Sequence, residues 1–385
     1  MNKNAEIDPN PPLIVDAHED LAWNMLTFGR DYLRSVEETR QLEAGSDTVV
    51  QNGDTMLGWP EVQQARLTVV FATLFAAPSR WRFNESETQI YKSPVEANRL
   101  YRGQLDCYHR LVGSHPGHFN LITNRKELEE HLKIWDLRPV KGINTGESRE
   151  EIAGNGSPLG MVILMEGADG IRDLDELADW YAHGLRILGP AWVATRFTGG
   201  WREPGPLTEE GLELLKAMAN FNFILDLSHM DEQAALQAAD DYAGPVVATH
   251  GNCLSLLPNY PTNRQFSDRL IQGVIARDGV VGLVPYNIFL KVGWTRGGSR
   301  RDEVLLSDYI NHIDYVCQLA GDSLHAGIGT DFDGGFGLQS TPMGLNSIAD
   351  LQKLPALLSE RGYTRQDVSN ILGGNWLSRL KKELP

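Results

Sequence analysis

Six residues of this chain have the types and spacing for metal-assisted hydrolysis. His18 and Asp20 stand in Asp16-Ala17-His18-Glu19-Asp20, and Glu166 precedes a glycine. His229 closes Asp226-Leu227-Ser228-His229, His250 sits between Thr249 and Gly251, and Asp331 follows Thr330 in a Thr-Asp-Phe-Asp-Gly run. Imidazole nitrogen and carboxylate oxygen suit Zn²⁺ at about 2.0–2.2 Å without any thiolate. In an extended segment a His-x-Asp pair points both side chains to one face, because side chains alternate with period two. Each residue alone has an ordinary explanation. A histidine after a strand is commonly a satisfied polar residue, Asp20 could cap a helix, and Asp331 and Asp333 make a good turn. Their shared placement, each just after an apolar run, is harder to obtain from packing.

His18, Asp20, Glu166, His229 and His250 make five ligands. A structural zinc site uses four and closes itself. Five ligands with one shared carboxylate would hold two ions about 3.5–4 Å apart. Glu166 is the natural bridge, since its strand lies between the His-x-Asp pair and the two later histidines. A water or hydroxide completing that bridge would be the nucleophile. Asp331 is then left to carry a proton from nucleophile to leaving group.

The elements that must position these residues are short apolar runs. Eight are candidate strands: Leu13–Ala17, Leu67–Phe75, Met161–Met165, Leu185–Leu188, Phe223–Leu227, Val246–Ala248, Val280–Val284 and Ala326–Ile328. Helical periodicity falls between many of them, at Val95–Leu111, Asp173–Ala182, Glu209–Asn220, Asp231–Asp240, Ser267–Arg277 and Asp302–Leu319, with Thr364–Lys381 last. Continuous apolar strands alternating with helices imply a parallel sheet covered on both faces. Eight such units predict an α/β fold, a closed (β/α)₈ TIM-type barrel, whose strand ends converge on one mouth. The open doubly wound alternative lacks a G-x-G-x-x-G after the first strand. A Gly- and charge-rich insertion, roughly Thr27–Gln64, separates the first two strands, and Lys141–Ser157 reads as a loop before the third. We read residues 1–385 as one barrel domain.

Composition narrows the partners. Lys and Arg number 35 against 51 Asp and Glu, a formal charge of −16 that would repel nucleic acid and anionic membranes. The three cysteines, Cys107, Cys253 and Cys317, are far apart and form neither a disulfide framework nor a zinc ribbon. There is no secretory h-region in MNKNAEIDPNPP and no apolar run long enough to span a bilayer. The expectation is a cytoplasmic chain without a membrane partner. The remaining histidines, 109, 115, 118, 131, 183, 312 and 325, are read as ordinary polar residues.

At the ligand segments the sequence resembles the membrane (renal-type) dipeptidase family, peptidase family M19, among the amidohydrolase-like barrels. The matching stretches are VDAHEDLAW at 15–23, LMEGADG at 164–170, FILDLSHM at 223–230, ATHGN at 248–252, IGTDFDGG at 328–335 and ILGGNWLSRL at 371–380. They run nearly end to end and are jointly specific. The resemblance implies a two-zinc dipeptidase, with His18 and Asp20 on one ion, Glu166 bridging, and His229 and His250 on the other. Asp331 matches the proton-transferring aspartate, Arg264 the arginine that holds the substrate carboxylate, and Tyr286 a substrate-contacting tyrosine. It also suggests a homodimer. Two departures occur, of which the second reads as minor. Trp192 falls where a substrate-binding His is usual, with Arg196 the nearest polar substitute, and Thr330 replaces a Gly or Ser. The first leaves open a related hydrolase of another amide, lactam or lactone, or a metal-binding barrel without turnover.

Overall fold

The computed structural model describes residues 11–82, 87–136 and 156–385. Eight parallel strands form the core: β1 Ile14–Glu19, β2 Leu67–Phe75, β3 Leu159–Glu166, β4 Leu185–Gly189, β5 Ile224–Asp226, β6 Val246–Val247, β7 Val281–Leu283 and β8 Ala326–Ile328. Their order around the sheet is β6-β5-β4-β3-β2-β1-β8-β7. A parallel bridge from Ala248 to Val281 joins β6 to β7 and nearly closes the ring. The barrel expected from the apolar runs is therefore present, with all eight strands where those runs lie.

All nine residues of β2, Leu-Thr-Val-Val-Phe-Ala-Thr-Leu-Phe, are buried. An unbroken apolar strand suits this position, since one face lines the barrel and the other meets helices. Val15, Ala17, Val69, Phe71, Val162, Leu164, Ile187, Ile224 and Val247 form one cluster, joined by Trp376 from the last helix, Asn375–Glu383. Val162 and Leu164 share the face of β3 that carries Glu166, so this cluster is the barrel interior below the site. β8 contributes glycine there. A Cβ on Gly327 would come within 2.3 Å of Trp376 Nε1, which itself donates to the Ile328 carbonyl at 3.0 Å.

The segment after β1 is folded. It carries helices Val36–Glu43, Asp47–Asn52 and Trp59–Ala65, the first with a Ser35/Glu38 capping box. Three features escaped the apolar-run reading: a strand Phe119–Leu121 paired with β3, the pair Ala77–Pro78 and Ile90–Tyr91, and a hairpin of Thr198–Gly200 with Glu203–Leu207. Residues 141–155 of the expected loop before β3 lie outside the described residues.

Candidate metal centre

β1 ends in side chains that are all buried, polar or not: Asp16, His18, Glu19 and Asp20. Asp20 occupies the N-cap position of helix Leu21–Phe28, yet its side chain makes no cap bond, and its Oδ1 is buried without a partner. The capping explanation for Asp20 therefore fails. Glu166 is the last residue of β3. Tyr101 donates to its carbonyl at 2.7 Å, and the chain then turns through Gly167 at φ 78°, a left-handed conformation suited to glycine.

His229, Asp331 and Asp333 also hold positive φ, at 65°, 54° and 62°. Left-handed backbone at a non-glycine residue costs about 1–3 kcal/mol, and it persists where surrounding contacts over-determine it. Two aspartate–threonine clasps provide such contacts. Asp226 at the end of β5 accepts from Thr249 N at 2.8 Å, Thr249 Oγ1 at 2.5 Å and Ser228 N at 3.0 Å. Thr249 Oγ1 in turn lies 2.9 Å from His250 Nδ1. Asp16 on β1 likewise accepts from Thr330 N at 2.7 Å and Thr330 Oγ1 at 2.6 Å. Each clasp ties one strand end to its neighbour and fixes the residue that follows the threonine. Thr330 is thus no minor departure. The sequence signal for both clasps was an Asp before each histidine segment and a Thr before His250 and Asp331.

The ligand candidates converge. His18 Nε2 lies 3.8 Å from Asp20, 3.9 Å from Glu166 and 3.9 Å from Asp331 carboxylate oxygens. His229 Nε2 and His250 Nε2 are 2.8 Å apart, and Glu166 Oε1 is 3.0 Å from the first and 3.4 Å from the second. The ligand atoms of His18, Glu166 and His250, and those of His18, Asp20 and Asp331, all fall within 4.8 Å of one another. Asp331 thus stands within ligand range of His18 and Asp20.

Electrostatics mark the same cluster. Burial raises Glu166 well above the carboxylate range, with Asp20 and Asp331 adding to it. Burial, then Asp20 and Asp16, push Asp331 up to about 8 against His18 and Arg264. Burial opposes charge on His18, but Glu166, Asp20 and Asp331 outweigh it and raise it to about 10. His229 and His250 are driven well below the usual imidazole value by burial, helped by Arg264 and His18. Crowded acids beside neutral imidazoles are a donor set in want of positive charge, which divalent cations supply. The residues fit a metal centre.

The substrate candidates separate. Arg264 is 2% exposed; its Nη2 donates to the His250 carbonyl at 2.9 Å, while Nε and Nη1 are buried and unpaired. Arg264, in a loop after β6, is therefore no solvated surface side chain. Tyr286 stacks on Phe336 at 4.0 Å, and Asp331 is among the charges that raise its hydroxyl, after burial, to about 12. Arg196 is not brought to the cluster. Its guanidinium donates to the Ile171 and Arg172 carbonyls, pairs with Glu210 at 3.0 Å, and lines a separate surface pocket with Leu174 and Lys216. Asp333 turns away too. It pairs with Arg30 at 3.0 Å and accepts from Thr55 Oγ1 at 2.6 Å and Met56 N at 2.8 Å, all from the segment after β1. Among the other histidines, His131 bonds the Thr68 carbonyl and His312 accepts from Cys253 N, as structural residues do.

The sequence profile of the family described as membrane dipeptidase (Peptidase family M19) matches residues 138–383. The chain belongs to this family. With membership comes its chemistry, metal-dependent hydrolysis of dipeptide bonds. An uncharacterised Klebsiella pneumoniae protein from the pqqA 5′ region is 34% identical over 236 residues, covering 58% of this chain and 82% of that one. The dipeptidase aclJ of Aspergillus oryzae is 29% identical over 369 residues, 94% of this chain and 76% of that one. The fold is shared with a Rhodobacter sphaeroides metallopeptidase solved with a phosphinate mimic of L-Ala-D-Ala. The TM-score is 0.71 at 22% identity, over 98% of this chain and 100% of that chain. Among the described residues of this M19 chain, no helix is long and apolar enough to cross a membrane.

Proposed function

We propose that the chain hydrolyses free dipeptides at a centre of two zinc ions. His18 and Asp20 would hold one ion and His229 and His250 the other, with Glu166 serving both. Bound there, zinc would supply Lewis acidity and an activated water. The protein's own residues do the rest. Asp331 accepts the proton released on attack and delivers it to the departing amine. Its carboxylate stands 3.9 Å from His18 Nε2, inside the cluster where that proton is released. Arg264 binds the substrate's free carboxylate through the two N–H groups that the protein leaves unpaired. Tyr286 and Phe336 flank that end of the site.

The single observation that carries the dipeptide reading is Arg264. A guanidinium buried with unsatisfied Nε and Nη1 is costly unless an anion completes it, and a dipeptide carboxylate is such an anion. Hydrolysis of another amide, lactam or lactone is the second reading, since Trp192 stands where a hydrogen-bonding His is usual. A screen of L,L and L,D dipeptides, dipeptide amides and lactones with zinc-loaded protein separates them. Cleavage of uncharged amides or lactones with no cleavage of free dipeptides sinks the first reading. Three unpaired, buried cysteines suit a reducing compartment, and we place the enzyme in the cytoplasm. Light scattering tests the homodimer suggested by the resemblance.

A further inference from the structure

Phe75 ends β2, four strands round the ring from β6, whose His250 carbonyl holds Arg264, and a wall of aromatic rings begins there. Trp192 follows β4. Its ring centroid is 5.1 Å from Phe75, the last residue of β2, and 5.5 Å from Trp201. Both indoles approach the His229 imidazole, at 6.3 and 6.2 Å. Trp23, just after β1, extends the wall against Phe75 at 6.2 Å.

Trp201 is held in place by its hairpin. Gly200 pairs with Glu203, which makes Trp201 and Arg202 the turn, with Arg202 at φ 61°. On the β2 side Arg80 and Trp81 bond Glu203 at 2.8 and 2.6 Å. On the β6 side Asn263 accepts from Arg202 N at 2.9 Å and donates to the Gly200 carbonyl at 3.1 Å. A turn tied on both sides presents its ring as a fixed surface. The Trp201 indole N–H is buried and has no partner, so the wall also offers one free donor.

We propose that this wall is the subsite for the residue on the amino side of the scissile bond, and that it selects a large apolar or aromatic side chain there. The inference rests on the dipeptidase reading. With the carboxylate at Arg264, the carboxyl-side residue lies over the β6–β8 arc, beside Tyr286 and Phe336. The scissile amide falls at the ligand cluster. The amino-side residue is then left facing the β2–β4 arc, where Phe75 and Trp192 stand, with Trp201 reaching in from the hairpin that follows β4. Aromatic faces reward apolar area and edge-to-face contact. They offer little to glycine.

The test is a kcat/KM series for Phe-Ala, Leu-Ala, Ala-Ala and Gly-Ala with the zinc-loaded wild-type enzyme. Phe-Ala and Leu-Ala should exceed Gly-Ala by roughly 10- to 100-fold, the scale of burying such a side chain, with most of the difference in KM. Trp201→Ala should collapse the Phe-Ala to Gly-Ala ratio toward one, and Trp201→Phe should restore much of it. Binding of phosphinate dipeptide mimics, measured by titration calorimetry, should rank the same way, Phe-type above Ala-type, which reads the subsite without turnover. Efficiencies that are flat across the series, or highest for Gly-Ala, overturn the subsite while leaving the dipeptidase reading intact. Failure to cleave any free dipeptide overturns both. Because the wild-type series decides alone, a variant that fails to fold does not shield the proposal.

Discussion

The Nε2 atoms of His229 and His250 face each other at 2.8 Å, and one Glu166 oxygen lies within 3.4 Å of both. Burial drives both imidazoles well below their usual value, so each keeps a ring nitrogen free to bind a cation. Zinc-loaded protein should contain about two equivalents by elemental analysis, as a shared carboxylate between two ions requires. Glu166→Gln should bind less metal and show a smaller rise in Tm on zinc addition. A value near one with full activity would remove Glu166 from its shared role.

Asp331 and Asp333 are two residues apart, and the structure gives them different work. Asp331→Asn should retain zinc and lower kcat by about 10²–10⁴, the scale of a lost general acid–base group. Loss of zinc in this variant would make Asp331 a ligand. Asp333→Asn should act on stability, because it removes one of the two carboxylates that pair with buried Arg30 and leaves Glu43 as the other. A loss of about 1–3 kcal/mol is expected in denaturant unfolding.

Arg264→Met should raise KM strongly for free dipeptides and much less for dipeptide amides, which lack the carboxylate. A buried ion pair lost on one side only corresponds to about 2–5 kcal/mol. Equal losses on both substrates would make Arg264 structural. Arg196→Ala, by contrast, should leave KM for both within about twofold, since surface changes of this kind fall within about 0.5 kcal/mol. A large KM effect there would return Arg196 to the substrate site.

The Asp226–Thr249 clasp should tune metal affinity without touching the metal. Asp226→Asn replaces one of the acceptor oxygens that order Ser228, Thr249 and, through Thr249, His250. Outer partners of this kind typically shift affinity by about 10–100-fold. Zinc competition against a fluorescent chelator measures it. Unchanged affinity would reduce the clasp to a packing feature.

The barrel was legible because buried parallel strands must be apolar along their whole length, and Leu67–Phe75 announces this without ambiguity. The convergence of His18, Glu166, His229 and His250 was legible because strand ends meet at one mouth in such a barrel. The clasps were hidden: Asp16 and Asp226 look like further ligands until Thr330 and Thr249 are seen bonded to them. Arg196 misled because proximity in sequence to Trp192 says nothing about direction, and its guanidinium turns to Glu210 and two carbonyls. The hairpin around Trp201 was missed because Glu-Pro-Gly-Pro-Leu carries no alternating apolar signal.

β1 and β8 pair through a single register partner, Asp16 with Ile328, and the Asp16–Thr330 and Arg30–Asp333 contacts bind the same seam. The centre straddles that seam, with His18 and Asp20 on one lip and Asp331 on the other. The two lips are some three hundred residues apart along the chain, and contacts so distant form only after a large loss of chain entropy. A nascent chain that has not yet made β8 can hold Glu166, His229 and His250 near one another, but it cannot set Asp331 against His18. The carboxylate proposed to carry the proton therefore reports ring closure, and on that reading the reaction is withheld until the last strand has met the first.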